Sequence, residues 1–292
     1  MSWWCAAQDS AWSWTWQPYV GVWVMVTALV ALRLLAESLW APRATTAASP
    51  SRERGRRLPL YLTGVAFLWI ATDWPIGPLG AGYLLSVHTV QYILFAFVAP
   101  PLLIAGTPRW MLRRMIRRRW AFRVARTASR PLVAFLVFNV VLLATHLPSV
   151  VDGLTASQLG SFAVDMAWLI AGLVFWWPIL GPLPELDPMP YPGRIVYLIA
   201  NVFIPTVPAA FLTYAKYPIY ALYELAPPTG GLTVVQDQQI AGMIMKIVGG
   251  FIVFGTASVL FFKWARAEAE DDHTSSHSGY VTSPSRLNTR TK

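Results

Sequence analysis

The sequence predicts an all-α, polytopic integral membrane protein with about seven transmembrane helices. Charged residues make up 13% of the 292 residues and hydrophobic residues 55%, whereas a soluble domain carries about 25% charged residues. Long apolar stretches recur along the chain, and Lys and Arg concentrate in alternate connections between them. This composition excludes a cytosolic globule and a disordered chain, and the single Cys5 excludes an internally cross-linked secreted scaffold.

Seven stretches approach the length of about 20 mostly apolar residues that a membrane helix needs. They lie at approximately 19–40, 58–75, 83–106, 131–148, 161–180, 195–214 and 239–262. The second stretch is short for a span. The sixth contains Pro205 and Pro208, which membrane helices accommodate when neighbouring groups satisfy the freed carbonyls. We therefore predict a seven-helix membrane domain over residues 19–266.

The distribution of basic residues predicts the orientation of these spans, because cytoplasmic connections are enriched in Lys and Arg. The residues before the first span contain none, the connection after it contains five arginines, and the connection after the third contains nine. The connections after the second and fourth spans contain none. We therefore expect an outside N-terminus and an inside C-terminus. The net charge of +9 then reflects orientation, and we expect no nucleic-acid partner.

The two ends of the chain differ from the membrane domain in composition. Residues 1–18 contain five tryptophans, which predicts a segment anchored at the outer membrane interface. Residues 267–292 are polar and rich in Ser and Thr, which predicts a disordered cytoplasmic tail.

The arginine-rich segment 108–130 interleaves nine arginines with large apolar side chains. This pattern predicts an amphipathic helix on the inner membrane surface, with arginines on the lipid headgroups. The headgroup contacts are assigned to Arg113, Arg114, Arg117, Arg118 and Arg119. A docking surface for a partner protein is the alternative.

Polar side chains inside a bilayer are costly and are therefore candidates for function. The predicted orientation assigns seven polar or sulfur-bearing side chains to the outer half of the membrane: His88, His146, Asp73, Asp165, Asp237, Met243 and Met245. Imidazole and thioether ligands suit Cu(I). At most one of the two methionines can ligate, because residues two apart point about 200° from each other on a helix.

The carboxylates of Asp165 and Asp237 could orient the imidazoles or carry protons. Structural explanations stay open for each residue. His146 could cap a helix end, Asp165 and Lys246 could neutralise each other, and Arg33 near the inner end of the first span could snorkel to the interface. The sequence contains no nucleotide-binding loop and no nucleophile beside a base, so we predict no enzymatic activity.

Four stretches, in order, resemble the CtaG-like family of cytochrome c oxidase assembly factors. They are LSVHTVQYILFAFVAPPLLIAGTPRW (85–110), THLPSVVDGL (145–154), GLVFWWPILGPLP (172–184) and DQQIAGMIM (237–245). PIY at 218–220 also agrees, and the resemblance covers residues 58–266. It implies a non-enzymatic accessory protein of the bacterial inner membrane. Oxidase subunits and copper chaperones are the implied partners, and copper the implied ligand.

The resemblance also assigns residues by position. His88 matches the first histidine of the family's H-x-x-x-H, His146 the histidine of HLP, and Asp237 with Gln238 the DQ pair. The chain departs from the family at three places: Tyr92 for the second histidine, Phe162 and Asp165 for histidines early in the fifth span, and Lys246 for an aromatic residue. A phenol is a poor ligand for Cu(I), and an ammonium group repels a cation.

Two alternatives to copper delivery therefore remain from the sequence. The first is a metal-free membrane scaffold that holds an oxidase subunit, which the missing histidines favour. The second is a small-solute or proton pathway, suggested by Asp73, Asp165 and Lys246 together with the proline-interrupted sixth span.

Overall fold

The computed structural model of the protein describes residues 2–8, 10–40, 50–186 and 189–281. The structure is 79% helical, and the described residues contain no strand, which confirms the predicted all-α class. The helices are α1 (Val20–Trp40), α2 (Pro50–Thr72), α3 (Ile76–Gly82), α4 (Leu85–Ile93), α5 (Ala99–Gly106), α6 (Arg109–Met115), α7 (Arg119–Ala128), α8 (Pro131–Thr145), α9 (Pro148–Leu154), α10 (Gln158–Leu180), α11 (Tyr191–Tyr214), α12 (Ala221–Glu224) and α13 (Val234–Val281). A π-helical turn, Leu94–Val98, joins α4 to α5, and a 3₁₀ turn, Pro184–Leu186, follows α10.

Five helical segments of the described residues are long and apolar enough to cross a membrane. They are α1, the continuous segment Leu85–Gly106, α10, α11 and the part of α13 from Val234 to Glu270. A sixth is obtained if α7 and α8, which meet at 77°, form one bent span. The predicted second span falls in α2, whose arginine-rich beginning lowers its hydropathy. The structure therefore supports a membrane protein, while the count of seven and the orientation stay predictions.

The arginine-rich segment forms two short helices, so the prediction of one amphipathic helix over 108–130 is wrong. Helix α6 ends at Met115 and α7 begins at Arg119. A continuous helix would stack Arg113 on Arg117 and Arg114 on Arg118, and like charges four residues apart destabilise a helix. Because α7 lies at 77° to α8, it runs across the end of the bundle.

Two prolines explain the π-helical turn at the centre of the bundle. The carbonyl of Ala96 would bond to the N–H of residue 100 in an α-helix or of residue 101 in a π-helix, and Pro100 and Pro101 have no N–H. The indole Nε1 of Trp176 on α10 donates to this carbonyl at 3.2 Å. Gly172, one turn earlier, lets α10 approach, because a Cβ there would lie 2.5 Å from the Ala96 oxygen.

A largely buried ion pair joins two residues of α1 that lie one turn apart. Arg33 is only 3% exposed, and its Nη1 lies 3.1 Å from Oε2 of Glu37. Its guanidinium also lies over the ring of Tyr61, 5.7 Å from the centroid. Arg33 therefore does not snorkel to the interface, because it is buried between Glu37 of its own helix and Tyr61 of α2.

Both ends of the chain differ in part from the expectations. Trp4 is 1% exposed and packs into the bundle, while Trp14 and Trp16 are exposed as an interfacial belt requires. Helix α13 continues through residues 267–281, where disorder is predicted. The run of Ala and Glu that begins this segment consists of good helix formers, which extend a helix already nucleated within the bundle. Residues 282–292 of the predicted tail lie outside the described residues.

Candidate functional site

The two predicted histidines line one cavity although they come from different helices. His88 lies on α4, and His146 follows the last residue of α8. The cavity measures about 10 Å³, close to the roughly 10–15 Å³ that one water molecule occupies by this measure. Sequence spacing could not test whether the two residues meet, and the packing of α4 against its neighbours brings them together.

The surroundings of the cavity orient both imidazole rings. Nδ1 of His146 lies 2.7 Å from the carbonyl oxygen of Leu142. In neutral His146 the proton therefore belongs on Nδ1, which leaves the lone pair on Nε2. The His88 ring packs edge-on against Trp168, with the ring centroids 4.9 Å apart. Two fixed imidazoles beside a space for one small ion can hold a soft cation.

Tyr92 separates this cavity from a second one. Its ring lies 5.5 Å from that of His146, and its buried hydroxyl has no hydrogen-bond partner among the described residues. The second cavity is lined by Tyr92, Met245 and Lys246 among others. Tyr92 thus lies in the wall that the two cavities share, between the histidine pair and Met245.

The two methionines differ in the way that helix geometry predicts. Met245 is 4% exposed and packs in the core, whereas Met243 is 43% exposed on the outside of α13. Met245 lines the second cavity and is absent from the lining of the histidine cavity. The thioether of Met245 is therefore the candidate that faces inward, but Tyr92 lies between this thioether and the two imidazoles.

Asp237 contacts the helix that carries His88 rather than an imidazole. Its carboxylate accepts from the backbone N–H of Leu85 at 2.6 Å, and from both the backbone N–H and the hydroxyl of Ser86. A carboxylate at a helix N-terminus satisfies free N–H groups and interacts favourably with the helix dipole. Asp237 therefore positions α4, and through it His88.

The other family motifs also interlock around the histidine pair. The hydroxyl of Tyr220 donates to the carbonyl oxygen of His146 at 3.0 Å. Oε1 of Gln238 accepts from the N–H of Ile219 at 2.8 Å. The carboxylate of Asp152 accepts from the first backbone N–H groups of α12, at 3.0 and 3.3 Å.

Asp152 and Tyr220 both lie in stretches that carry the resemblance, but sequence reasoning did not predict their hydrogen bonds. Their partners are backbone groups about 70 residues away along the chain, which no sequence pattern indicates.

Asp165 and Lys246 do not neutralise each other. Asp165 accepts from the indole Nε1 of Trp4 at 2.9 Å, which explains why Trp4 leaves the interface. Lys246 donates to the hydroxyl of Thr206 on α11. A proton pathway through both residues therefore gains no support from their contacts.

The five arginines that were predicted to contact lipid headgroups have different surroundings in the structure. Arg113 forms an ion pair with Glu185, Arg114 lies over the ring of Trp40, and Arg117 with Arg119 lines a cavity. Arg118 is the residue immediately before α7.

The described residues contain no group of three or more His, Cys, Asp or Glu side chains placed to hold a metal ion. The candidate site therefore consists of two imidazoles, with aromatic and hydroxyl side chains around them.

These features define a helical membrane protein whose recognisable motifs meet around the pair His88 and His146. The chain belongs to the family of cytochrome c oxidase caa3 assembly factors (Caa3_CtaG), whose family model matches residues 38–267. This match confirms the resemblance found in the sequence. Assembly factors act on other proteins, and membership suggests a non-catalytic role.

The chain is also similar to three mycobacterial proteins described as uncharacterized. Mb0105 of Mycobacterium bovis and MT0111 of Mycobacterium tuberculosis are each 25% identical over 251 residues, covering 77% of this chain and 38% of each relative. ML1998 of Mycobacterium leprae is 24% identical over 241 residues, covering 75% and 36%. The chain thus spans well under half the length of these curated relatives. No solved structure matches the chain.

Proposed function

We propose that this protein helps to assemble a copper-haem cytochrome c oxidase in a bacterial inner membrane by delivering Cu(I) on the periplasmic side. In this proposal seven spans run from an outside N-terminus to an inside C-terminus. Oxidase subunits and copper chaperones are the partners. Family membership supports the oxidase, and the alternation of basic connections supports the orientation. The observation that carries the copper step is that His88 and His146 line one small cavity.

Copper in this scheme is cargo, and the chain's own residues hold and release it. The two imidazoles would bind the ion, with Nε2 of His146 available because Nδ1 faces the Leu142 carbonyl. Asp237 holds the start of α4, and Tyr220 holds the backbone of His146. A site with only two imidazoles binds more weakly than a closed set of four ligands, which suits transfer to a partner.

Copper binding by the purified protein under reducing conditions tests this proposal. We expect about one Cu(I) per chain, with the bound copper lost in His88→Ala and in His146→Ala. Met243→Ala is the matched control, because its side chain faces outward from α13 and should leave binding unchanged. A wild-type protein that takes up no copper, or histidine variants that bind as wild type does, would overturn the copper step.

A metal-free scaffold is the second candidate function. The absence of a three-ligand group among the described residues favours it, as does Tyr92 in place of an expected histidine. Oxidase activity in a deletion strain separates the two functions. Rescue by added copper supports delivery, whereas no rescue by copper, together with full complementation by a His88→Ala/His146→Ala variant, supports the scaffold.

A further inference from the structure

A large cavity opens between α6, α7 and the 3₁₀ turn that follows α10. Its volume is about 750 Å³, within the range of roughly 300–1,000 Å³ typical of ligand pockets. Its polar lining consists of Arg113, Arg117, Arg119, Arg123 and Glu185. We call it the arginine pocket.

The charges of the arginine pocket do not balance. Among the described residues, Glu185 is the only acidic residue that lines it, and Nε and Nη2 of Arg113 each lie 2.7 Å from Oε1 of Glu185. The pKa of Glu185 is lowered, first by a hydrogen bond from its own backbone amide and then by Arg113. Glu185 is therefore ionised at neutral pH and compensates Arg113. The described residues supply no acidic partner for Arg117, Arg119 or Arg123.

An anion with several oxygen atoms would satisfy these three guanidinium groups. Arginine presents a planar fork of donors that matches the geometry of phosphate oxygens. Three like charges around one cavity repel each other, so a phosphate group within it would remove a repulsion as well as form hydrogen bonds.

The rest of the lining is apolar and continues into the bundle. Ile116 and Phe122 line the pocket and pack against the buried Leu112, Leu183 and Leu186. The apolar Trp120 and Val124 are exposed on α7, which crosses the end of the bundle at 77° to α8. A ligand that fits this lining carries both phosphate and hydrocarbon.

We propose that the arginine pocket binds an anionic phospholipid whose headgroup carries two phosphates. Arg117, Arg119 and Arg123 hold the phosphates, and Ile116 and Phe122 contact the glycerol and acyl portions. Two phosphates balance the charge of three uncompensated guanidinium groups more closely than a single phosphate does. This site differs from general attraction of the basic segment to the membrane, because it assigns binding to particular arginines. It does not depend on copper binding.

Native mass spectrometry of the full chain in mixed micelles tests the site. The lipids offered are diphosphatidylglycerol, phosphatidylglycerol and phosphatidylcholine. Each arginine at an anionic surface contributes about a fivefold gain in affinity, so Arg117→Gln/Arg123→Gln should weaken diphosphatidylglycerol retention roughly 25-fold. The matched control is Arg114→Gln/Arg118→Gln, which removes the same charge from residues that do not line the pocket.

Three outcomes would overturn the proposal. Equal losses in the two double variants would mean that lipid contact is spread over the segment. Displacement of the lipid by soluble pyrophosphate would assign the pocket to a soluble anion, and equal retention of phosphatidylglycerol at matched charge would remove the need for two phosphates. Arg117→Lys/Arg123→Lys, which keeps the charge, should retain more lipid than the glutamine variant. Unchanged thermal unfolding of each variant shows that the loss is not misfolding.

Discussion

Replacing Trp176 by Phe should destabilise the bundle through a single backbone carbonyl. The Ala96 oxygen accepts the indole N–H of Trp176 at 3.2 Å, and it lacks its α- and π-helical backbone donors because residues 100 and 101 are both proline. A buried carbonyl that loses its donor costs about 1–3 kcal/mol, and the smaller ring loses about 1 kcal/mol of apolar contact. We expect the free energy of unfolding in detergent micelles to fall by about 2–4 kcal/mol.

Trp177→Phe provides the control, since it makes the same chemical change at the next residue. Trp177 is half-buried, packs against the core and has no hydrogen bond to Ala96. Its replacement should cost about 1 kcal/mol or less, because only packing is lost. Equal destabilisation by the two variants, measured by reversible denaturant unfolding, would refute the explanation of the π-helical turn. Copper binding and lipid retention of folded Trp176→Phe should match those of the wild type.

Three further predictions concern charged side chains. Asp237→Asn should cost about 1–2 kcal/mol in unfolding free energy, because it removes the charge at the N-terminus of α4. Arg33→Met should cost about 3 kcal/mol because it removes the ion pair with Glu37, whose side chain is 11% exposed, and Arg33→Met/Glu37→Leu should recover most of that loss. Glu185→Gln should lower the melting temperature at neutral pH. Because the folded pKa of Glu185 lies below its ordinary 4.5, its stabilising contact with Arg113 is complete above pH 4.5 and is lost as the pH falls through the lower folded value. The melting temperatures of Glu185→Gln and wild type should therefore converge in acid, and a constant difference at every pH would contradict this.

The sequence predicted the membrane class, the main helical segments and the family. These features depend on composition, on runs of about 20 apolar residues and on short local motifs, all of which are read along the chain. The sequence also grouped His88 with His146, because both were predicted to lie in the outer half of the membrane. In the structure both side chains line one cavity. The rule that only one methionine can face inward also agrees with the structure.

The roles of individual carboxylates could not be predicted in the same way. Asp165 bonds to Trp4, which is 161 residues away in sequence, and Asp237 bonds to Leu85, which is 152 residues away. The sequence marks each as an ionisable group in a membrane protein, which is equally compatible with ligand binding, proton transfer and helix capping. Only the groups that approach from distant parts of the chain decide among these roles.

The sequence by itself determined that this chain is a helical membrane protein of an oxidase assembly family. The length of the apolar stretches and the distribution of basic residues each depend on many residues. A single departure from the family pattern, such as Tyr92, therefore does not change these predictions. Tertiary structure decided that His88 and His146 line one cavity, that Tyr92 separates this cavity from Met245, and that Glu185 lies among the arginines of α6 and α7. The physical reason is that hydrogen bonds and cavities depend on contacts within a few ångströms. In a bundle, those contacts are set by how distant helices pack.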